Sequence, residues 1–368
     1  MISVFSENPE SDLWRELLQF SYEANINRYL SKKGLHATAE TINCIVGSFL
    51  QADEYYRSAK GANLQISPLL LYYGTTNLLY GMVNLLSGRK NIIANHGMKI
   101  FIPEHMSFIA DTTIRFLSPS DGGVHVIARA IGFNSNLTNF GDWSLREFLD
   151  SIAEISSDFV QCYEVNAGRV AMLEGFNTPD GKMEKIYFSE ENKEHIMALL
   201  QDVEDFDKSY LRLSVAKERE TSKEYFILRH KLTGRDISEE SYSGQRYLRA
   251  GHNKNSQIIT VPAVLNMYVA LFTLASLCRY YPEHWSPFVL KDTTGEKVLI
   301  EKFLFFARRL IPNYVLNKIM GDKVQYTSGR YSEIDTVKLV GEHQVQEMVE
   351  RQIKNQFEKK EIMLNNSK

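Results

Sequence analysis

The stretch Ser67-Pro68-Leu69-Leu70-Leu71-Tyr72-Tyr73-Gly74-Thr75-Thr76-Asn77-Leu78-Leu79-Tyr80-Gly81-Met82-Val83-Asn84-Leu85-Leu86 has no charged side chain, and its apolar residues fall almost all round a helix. Pro68 suits a first helical turn, where its missing N–H is not needed. With so little polar face, residues 68–87 are predicted to form a buried, central helix. A counterpart lies at 262–280, where Pro262 precedes Leu265, Met267, Tyr268, Val269, Leu271, Phe272, Leu274, Leu277 and Cys278. The two helices are expected to pack against each other, since neither can face water along its length. The uncharged stretches 62–88 and 258–278 are also long enough to cross a bilayer. Gln65, Asn77 and Asn84 in one, and Pro262 and Asn266 in the other, favour core helices and a protein without a membrane span.

Outward from these helices, residues 12–87 read as helical, with Asp12 a cap before Trp14, Leu17 and Leu18, and a further apolar set at Ile42, Cys44, Ile45 and Phe49. From about Lys99 the pattern changes to short runs bounded by Gly, Asn, Asp and Pro. Val124-His125-Val126-Ile127-Ala128 and Arg169-Val170-Ala171-Met172-Leu173 read as strands, as do 185–189, 210–216 and 224–230. Among them Ser144, with Glu147 three residues on, opens a helix carrying Leu145, Phe148, Leu149, Ile152 and Ile155 on one face. After a polar segment at 233–257 and the second apolar helix, another helix is predicted at 298–309, ending before Pro312. The charged end from Ser332 reads as an exposed helix and tail. The fold class is therefore α+β and predominantly helical. Its expected parts are a helical 1–98, a mixed α/β 99–232, a helical 233–331, and the charged 332–368.

The 368 residues are 44% apolar and 24% charged, enough for a sizeable core. A formal net charge of −3 argues against coating nucleic acid by bulk electrostatics, so any anion site must be local. Cys44, Cys162 and Cys278 are far apart with no C-x-x-C pair, which suits a reducing compartment and gives neither a disulfide framework nor a zinc site. The first residues lack the basic and apolar regions of a secretory signal, and a cytoplasmic location is expected.

Ser67 through Leu78, with the later His96-Gly97, resembles the N-terminal half of the bacterial YaaC-like family. Leu277-Cys278-Arg279-Tyr280-Tyr281-Pro282-Glu283-His284-Trp285 resembles that family's R-Y-x-P-x-x-W ending of a long apolar helix, and 303–313 its following helix. The resemblance spans about 60 to 320. It implies a cytosolic protein and supplies no catalytic residues to carry over. At the matching positions the plain expectation is structural, with Pro282 ending the helix and Tyr280 and Trp285 packing beneath it. The alternative is an Arg279 that binds a ligand or partner.

Gly175 through Lys182 only superficially suggests a phosphate-cradling loop. Five residues separate its glycines where four are needed, Met183 stands where Ser or Thr would hold Mg²⁺, and Pro179-Asp180-Gly181 reads as a hairpin turn. There is no H-E-x-x-H, G-x-S-x-G, Rossmann fingerprint or Cys/His cluster, so no metal and no cofactor is expected. The R-x(4–6)-H pattern of HEPN-type ribonucleases, in which Arg and His act on RNA without metal, fits Arg89–His96, Arg246–His252 and Arg279–His284. Nine histidines alone would give roughly one or two such matches by chance. Chemistry favours Arg246 with His252, because Arg249 and Lys254 add cations and an arginine grips phosphate bidentately. Arg279 with His284 comes second. The plain alternative for 246–256 is a solvated loop, and His96 and His105 read as loop or packed histidines. Two functions follow: a HEPN-like RNA-cleaving or nucleotide-binding protein of stress response or phage defence, and a non-enzymatic helical protein that docks a partner or a second copy.

Overall fold

The computed structural model describes residues 2–327, apart from 119–121, 167, 179–180, 219–220 and 232–233. The chain divides into two compact units, residues 13–323 and residues 1–12 with 324–368. In the smaller unit β1 (Ile2–Phe5) pairs in parallel with a strand at Val324–Thr327. The helix α1 (Pro9–Leu18) starts three residues before the expected cap at Asp12: Asn8 caps it, its Oδ1 accepting the Ser11 N–H at 3.1 Å. The charged segment 332–368 lies outside the described residues.

In the larger unit α2 (Glu23–Lys32) leads to a pair of long helices, α3 (Ala39–Gly61) and α4 (Ser67–Ser87). They approach closely because Gly74 has no side chain. A Cβ there would sit 2.8 Å from the Tyr56 ring and 3.0 Å from the Tyr55 Cβ. On its other side α4 packs against a helix at Ala263–Tyr280, in which every residue from Val264 to Leu277 is buried. These are the two apolar helices of the sequence, in mutual contact as predicted. The second is long and apolar enough to cross a bilayer, and here it is enclosed by protein.

Two readings of the middle section are corrected. Val124–Ala128, predicted as a strand, is the start of α5 (Gly123–Ile131), which packs on both apolar helices. Val124, Ile127 and Ala128 are buried at i, i+3 and i+4, so helical burial overrides the β preference of Val and Ile. The helix opened by Ser144 does have its capping box, with the Ser144 N–H donating to Glu147 at 2.8 Å, but α6 (Leu145–Leu149) stops early. The Asp150 carbonyl instead accepts the Arg169 N–H at 2.9 Å, a 3-10 turn carries Ile155, and α7 (Ser156–Tyr163) follows.

Small antiparallel sheets fill the rest. One contains β2 (Met98–Phe101), β3 (Thr113–Phe116) and β4 (Trp143–Ser144). The largest, in the order β6 (Glu174–Thr178), β7 (Gly181–Phe188), β9 (Glu224–His230), β8 (Tyr210–Lys217), matches the predicted strands, and Thr178 opposite Gly181 fits the expected hairpin. Its inner face, with Ile186, Phe188, Phe226 and Leu228, packs with Leu199 and Leu200 of α8 (Lys193–Gln201), and α9 (Phe206–Ser209) leads into β8. The segment 233–257 contains β10 (Glu239–Glu240), β11 (Arg246–Arg249), β12 (His252–Lys254) and the start of β13 (Gln257–Ile259), with β11 bridging β10 and β5 (Val170–Met172). It is therefore built structure and not a solvated loop.

The second apolar helix is α10 (Ala263–Tyr280), followed by α11 (Pro282–Lys291), α12 (Glu296–Met320) and β14 (Val324–Thr327). Contrary to expectation α12 runs through Pro312. Proline removes only one helical hydrogen bond, and the buried Ile311 and Val315 hold the helix on either side. Trp285 is fully buried, its Nε1 donating to the Gln65 carbonyl at 3.1 Å, as the packing role required. Tyr280 does not pack beneath the helix: it is 61% exposed.

Candidate functional site

His96 lies in the segment between α4 and β2, which two backbone hydrogen bonds hold against the start of α5 and a third against the end of β3. The Asn95 carbonyl accepts from Gly123 N at 2.8 Å, His96 from Val124 N at 3.1 Å, and Gly97 from Leu117 N at 2.9 Å. So close a crossing needs glycine on both sides. Gly97 has φ +76°, and a Cβ on Gly122 would lie 2.6 Å from the Gly97 Cα. His96 itself is exposed, at a fixed position.

Its side chain is oriented by α4 and α10. The Nδ1 of His96 is 2.7 Å from the Tyr72 hydroxyl, and the ring stands edge-on to Tyr72 and tilted against Phe272. Behind Tyr72, the buried Tyr268 hydroxyl is 3.4 Å away. Arg279, exposed at the end of α10, donates to the Tyr73 hydroxyl and lies 4.9 Å from the Tyr280 ring. Partial burial first, and the Arg279 charge second, hold the His96 imidazole below the usual histidine range. Burial pushes the Tyr72 and Tyr268 phenols up, so both stay neutral. Among the described residues no carboxylate pairs with His96 or Arg279. The arrangement is an exposed imidazole held below the usual range and, within reach of its charge, a guanidinium with no carboxylate partner among the described residues.

The residues singled out in 246–254 have partners of their own. Arg246 is gripped by Glu184, which is fully buried, and by both Asp236 oxygens at 2.8 Å. Arg249 is buried and donates to Glu239 and the Val261 carbonyl. Lys254 pairs with Glu147 at 2.5 Å and lies over the Trp143 ring at 4.5 Å. His252 is buried beside the same ring, 3.2 Å from Ser151 Oγ and 3.3 Å from Asp150. Arg246 and His252 thus belong to different sheets and have different partners. The histidine that shares a neighbour with Arg246 is His230, 3.2 Å from Glu184. That cluster sets one arginine against two carboxylates and has no excess positive charge for an anion. His284 is half-buried in the first turn of α11.

The charge of Arg279 reaches His96, a histidine 183 positions away. The spacing pattern could not have found it. A signal was present, because Tyr72-Tyr73, His96-Gly97 and Arg279 are among the residues that carry the family resemblance. Among the described residues no three His, Cys, Asp or Glu converge as a metal site. A cleft of about 750 Å³, lined by Phe206, Tyr210, Arg212 and Lys231 among others, and one of about 400 Å³ beside Ser67 and Phe305 include neither His96 nor Arg279. His96 and Arg279 are both exposed. A family model described as YaaC-like Protein matches residues 9–319. No curated protein and no solved structure matches the chain.

Proposed function

As the chain belongs to the YaaC-like protein family, whose matched span includes every residue of the site, we propose that it binds RNA at His96 and Arg279 and cleaves it without metal, in the HEPN-like manner of an Arg/His pair. The observation that carries this reading is an exposed guanidinium with no carboxylate partner among the described residues, whose charge reaches an exposed histidine anchored on Tyr72. Arginine suits the phosphate oxygens, and an imidazole with a pKa below neutrality is ready to accept a proton. Exposed side chains at both His96 and Arg279 can be reached by a polymer laid across them. Exposed Tyr280 offers a face on which a base can stack.

In the reaction the RNA 2′-hydroxyl attacks the neighbouring phosphorus and its proton passes to His96. The phosphorus–5′-oxygen bond breaks, leaving a 2′,3′-cyclic phosphate, and His96 returns the proton to the leaving oxygen. Arg279 offsets the charge gathered on the phosphate oxygens. The test is binding and cleavage of labelled single-stranded RNA by the intact protein. Arg279→Ala is expected to weaken binding, and His96→Ala to abolish cleavage while leaving most of the binding. If both variants match the parent, or if His252→Ala and His284→Ala are the ones that abolish cleavage, this assignment is lost.

A second reading, an interaction protein, is supported by the outer face of the largest sheet. Half-buried Phe176, Tyr187 and Tyr225 there surround Lys185, whose Nζ is 4.8 Å from the Tyr225 ring centre. Mass measurement on the native protein, with Tyr187→Glu as the comparison, tests it. A monomer that retains no partner counts against it.

A further inference from the structure

We propose that the free edge of β8, with the cleft at its start, takes a short extended peptide of another protein as a fifth strand, antiparallel to β8 and ending in a free carboxylate beside Arg212. The proposal rests on the second reading, that of an interaction protein, and gives it a site and a kind of partner. β8 is the last strand of its sheet, and among the described residues no backbone hydrogen bond reaches Tyr210–Lys217 from outside that sheet. The Ser209 carbonyl accepts the Lys231 N–H at 2.9 Å, so by antiparallel alternation Tyr210 and Arg212 turn their own N–H and C=O away from β9. Unpaired groups along an edge are a template for another strand.

The cleft of about 750 Å³ is lined by Tyr210, Leu211 and Arg212 in succession. Tyr210 belongs to the inner core and Arg212 lies 5.6 Å from the buried Phe226 ring, whereas alternation turns Leu211 to the outer face. A cleft that meets both faces opens on the edge. Met197, Leu200 and Phe206 give it an apolar wall for a side chain, and Lys208, Arg212 and Lys231 give it positive charge. Of its two acids, Asp205 is paired with Lys208 at 2.6 Å, leaving Asp207 to the two cations Arg212 and Lys231. Arg212 is exposed and has no carboxylate partner among the described residues, so an added carboxylate is favoured there. An antiparallel peptide brings its C-terminus to the start of β8, where these cations are. A second copy fits less well. The register shift between Arg212 and Ser214 breaks the flat run that long edge-to-edge pairing needs, and a copy would bring its own Arg212 and Lys217 to the same edge.

The test is an array of random short peptides with free C-termini, probed with the intact protein, and fluorescence polarisation of the peptides it retains. These should share an apolar last residue. C-terminal amidation and Arg212→Gln should each weaken binding about tenfold, and Arg212→Pro, which also removes an outward N–H, should weaken it further. Proline is tolerated on an edge strand where the N–H faces out, and should that variant unfold, amidation and Arg212→Gln decide. Retention of no peptide, or peptides indifferent to amidation and to Arg212→Gln, overturns the proposal. So does a dimeric parent that becomes a monomer with Arg212→Pro, which would give the edge to a second copy. A native partner lost in Tyr187→Glu and kept in Arg212→Pro would preserve the interaction reading and remove this site. Peptides that meet the expectations, in a protein that retains no native partner, would do the reverse.

Discussion

The charge state of a single side chain sets how the site responds to acid. Burial, and then Arg279, lower the His96 pKa, so the acid limb of the cleavage rate should fall below the ordinary histidine value of about 6.5. Arg279→Gln removes the second cause and should move that limb upward, which a pH–rate profile would register. The same shift is a stability statement. The contribution of neutral His96 is fully present above about pH 6.5 and is lost as the pH falls through the lowered folded value. Arg246 tests the opposite arrangement. Arg246→Ala leaves Glu184 buried without its arginine and should destabilise the fold by about 3 kcal/mol in chemical denaturation, without touching the proposed His96–Arg279 site.

At the scale of elements, the helix-on-helix contacts explain which parts were readable in advance. The apolar helices α4 and α10 were legible because an all-round apolar surface has only one place to go. The α6 capping box was legible because it is a local contact, and Ser144→Ala should lower stability by about 1 kcal/mol in thermal or denaturant unfolding. What escaped depended on distant neighbours. In α5, Val124 and Ile127 look like strand residues until α4 and α10 bury them, and Pro312 looks like a stop until the buried faces of α12 carry the helix past it. Gly74 sets two effects against each other. Alanine would favour an isolated helix by about 1 kcal/mol, but its Cβ would meet Tyr56 at 2.8 Å, and overpacking of that kind costs about 1–3 kcal/mol. Gly74→Ala should therefore lower the midpoint of unfolding, because the Tyr56 ring is buried and has no room to withdraw.

Across the whole molecule the net charge of −3 means that RNA, if bound as proposed, gains nothing from a general field. On the proposed reading, binding comes from a few contacts around Arg279. Each phosphate neutralised on a single strand adds about 0.7 to the slope of log affinity against log salt. A slope near −1 is expected, and a steep slope from salt titrations would indicate a basic surface elsewhere. The same economy explains why the site was not readable from spacing. An anion site of one arginine and one histidine leaves no cluster in the sequence, whereas Arg246, Arg249 and Lys254 form a cluster that the fold pairs with Glu184, Asp236, Glu239 and Glu147.

The crossing of Gly97 and Gly122 has an evolutionary consequence. Because the two residues meet main chain to main chain, neither can gain a side chain by a single mutation without displacing His96, and lineages that keep the histidine should keep both glycines together. Descendants that have lost His96 are released from that constraint. In an alignment they should be where these two positions begin to drift, and drift as a pair.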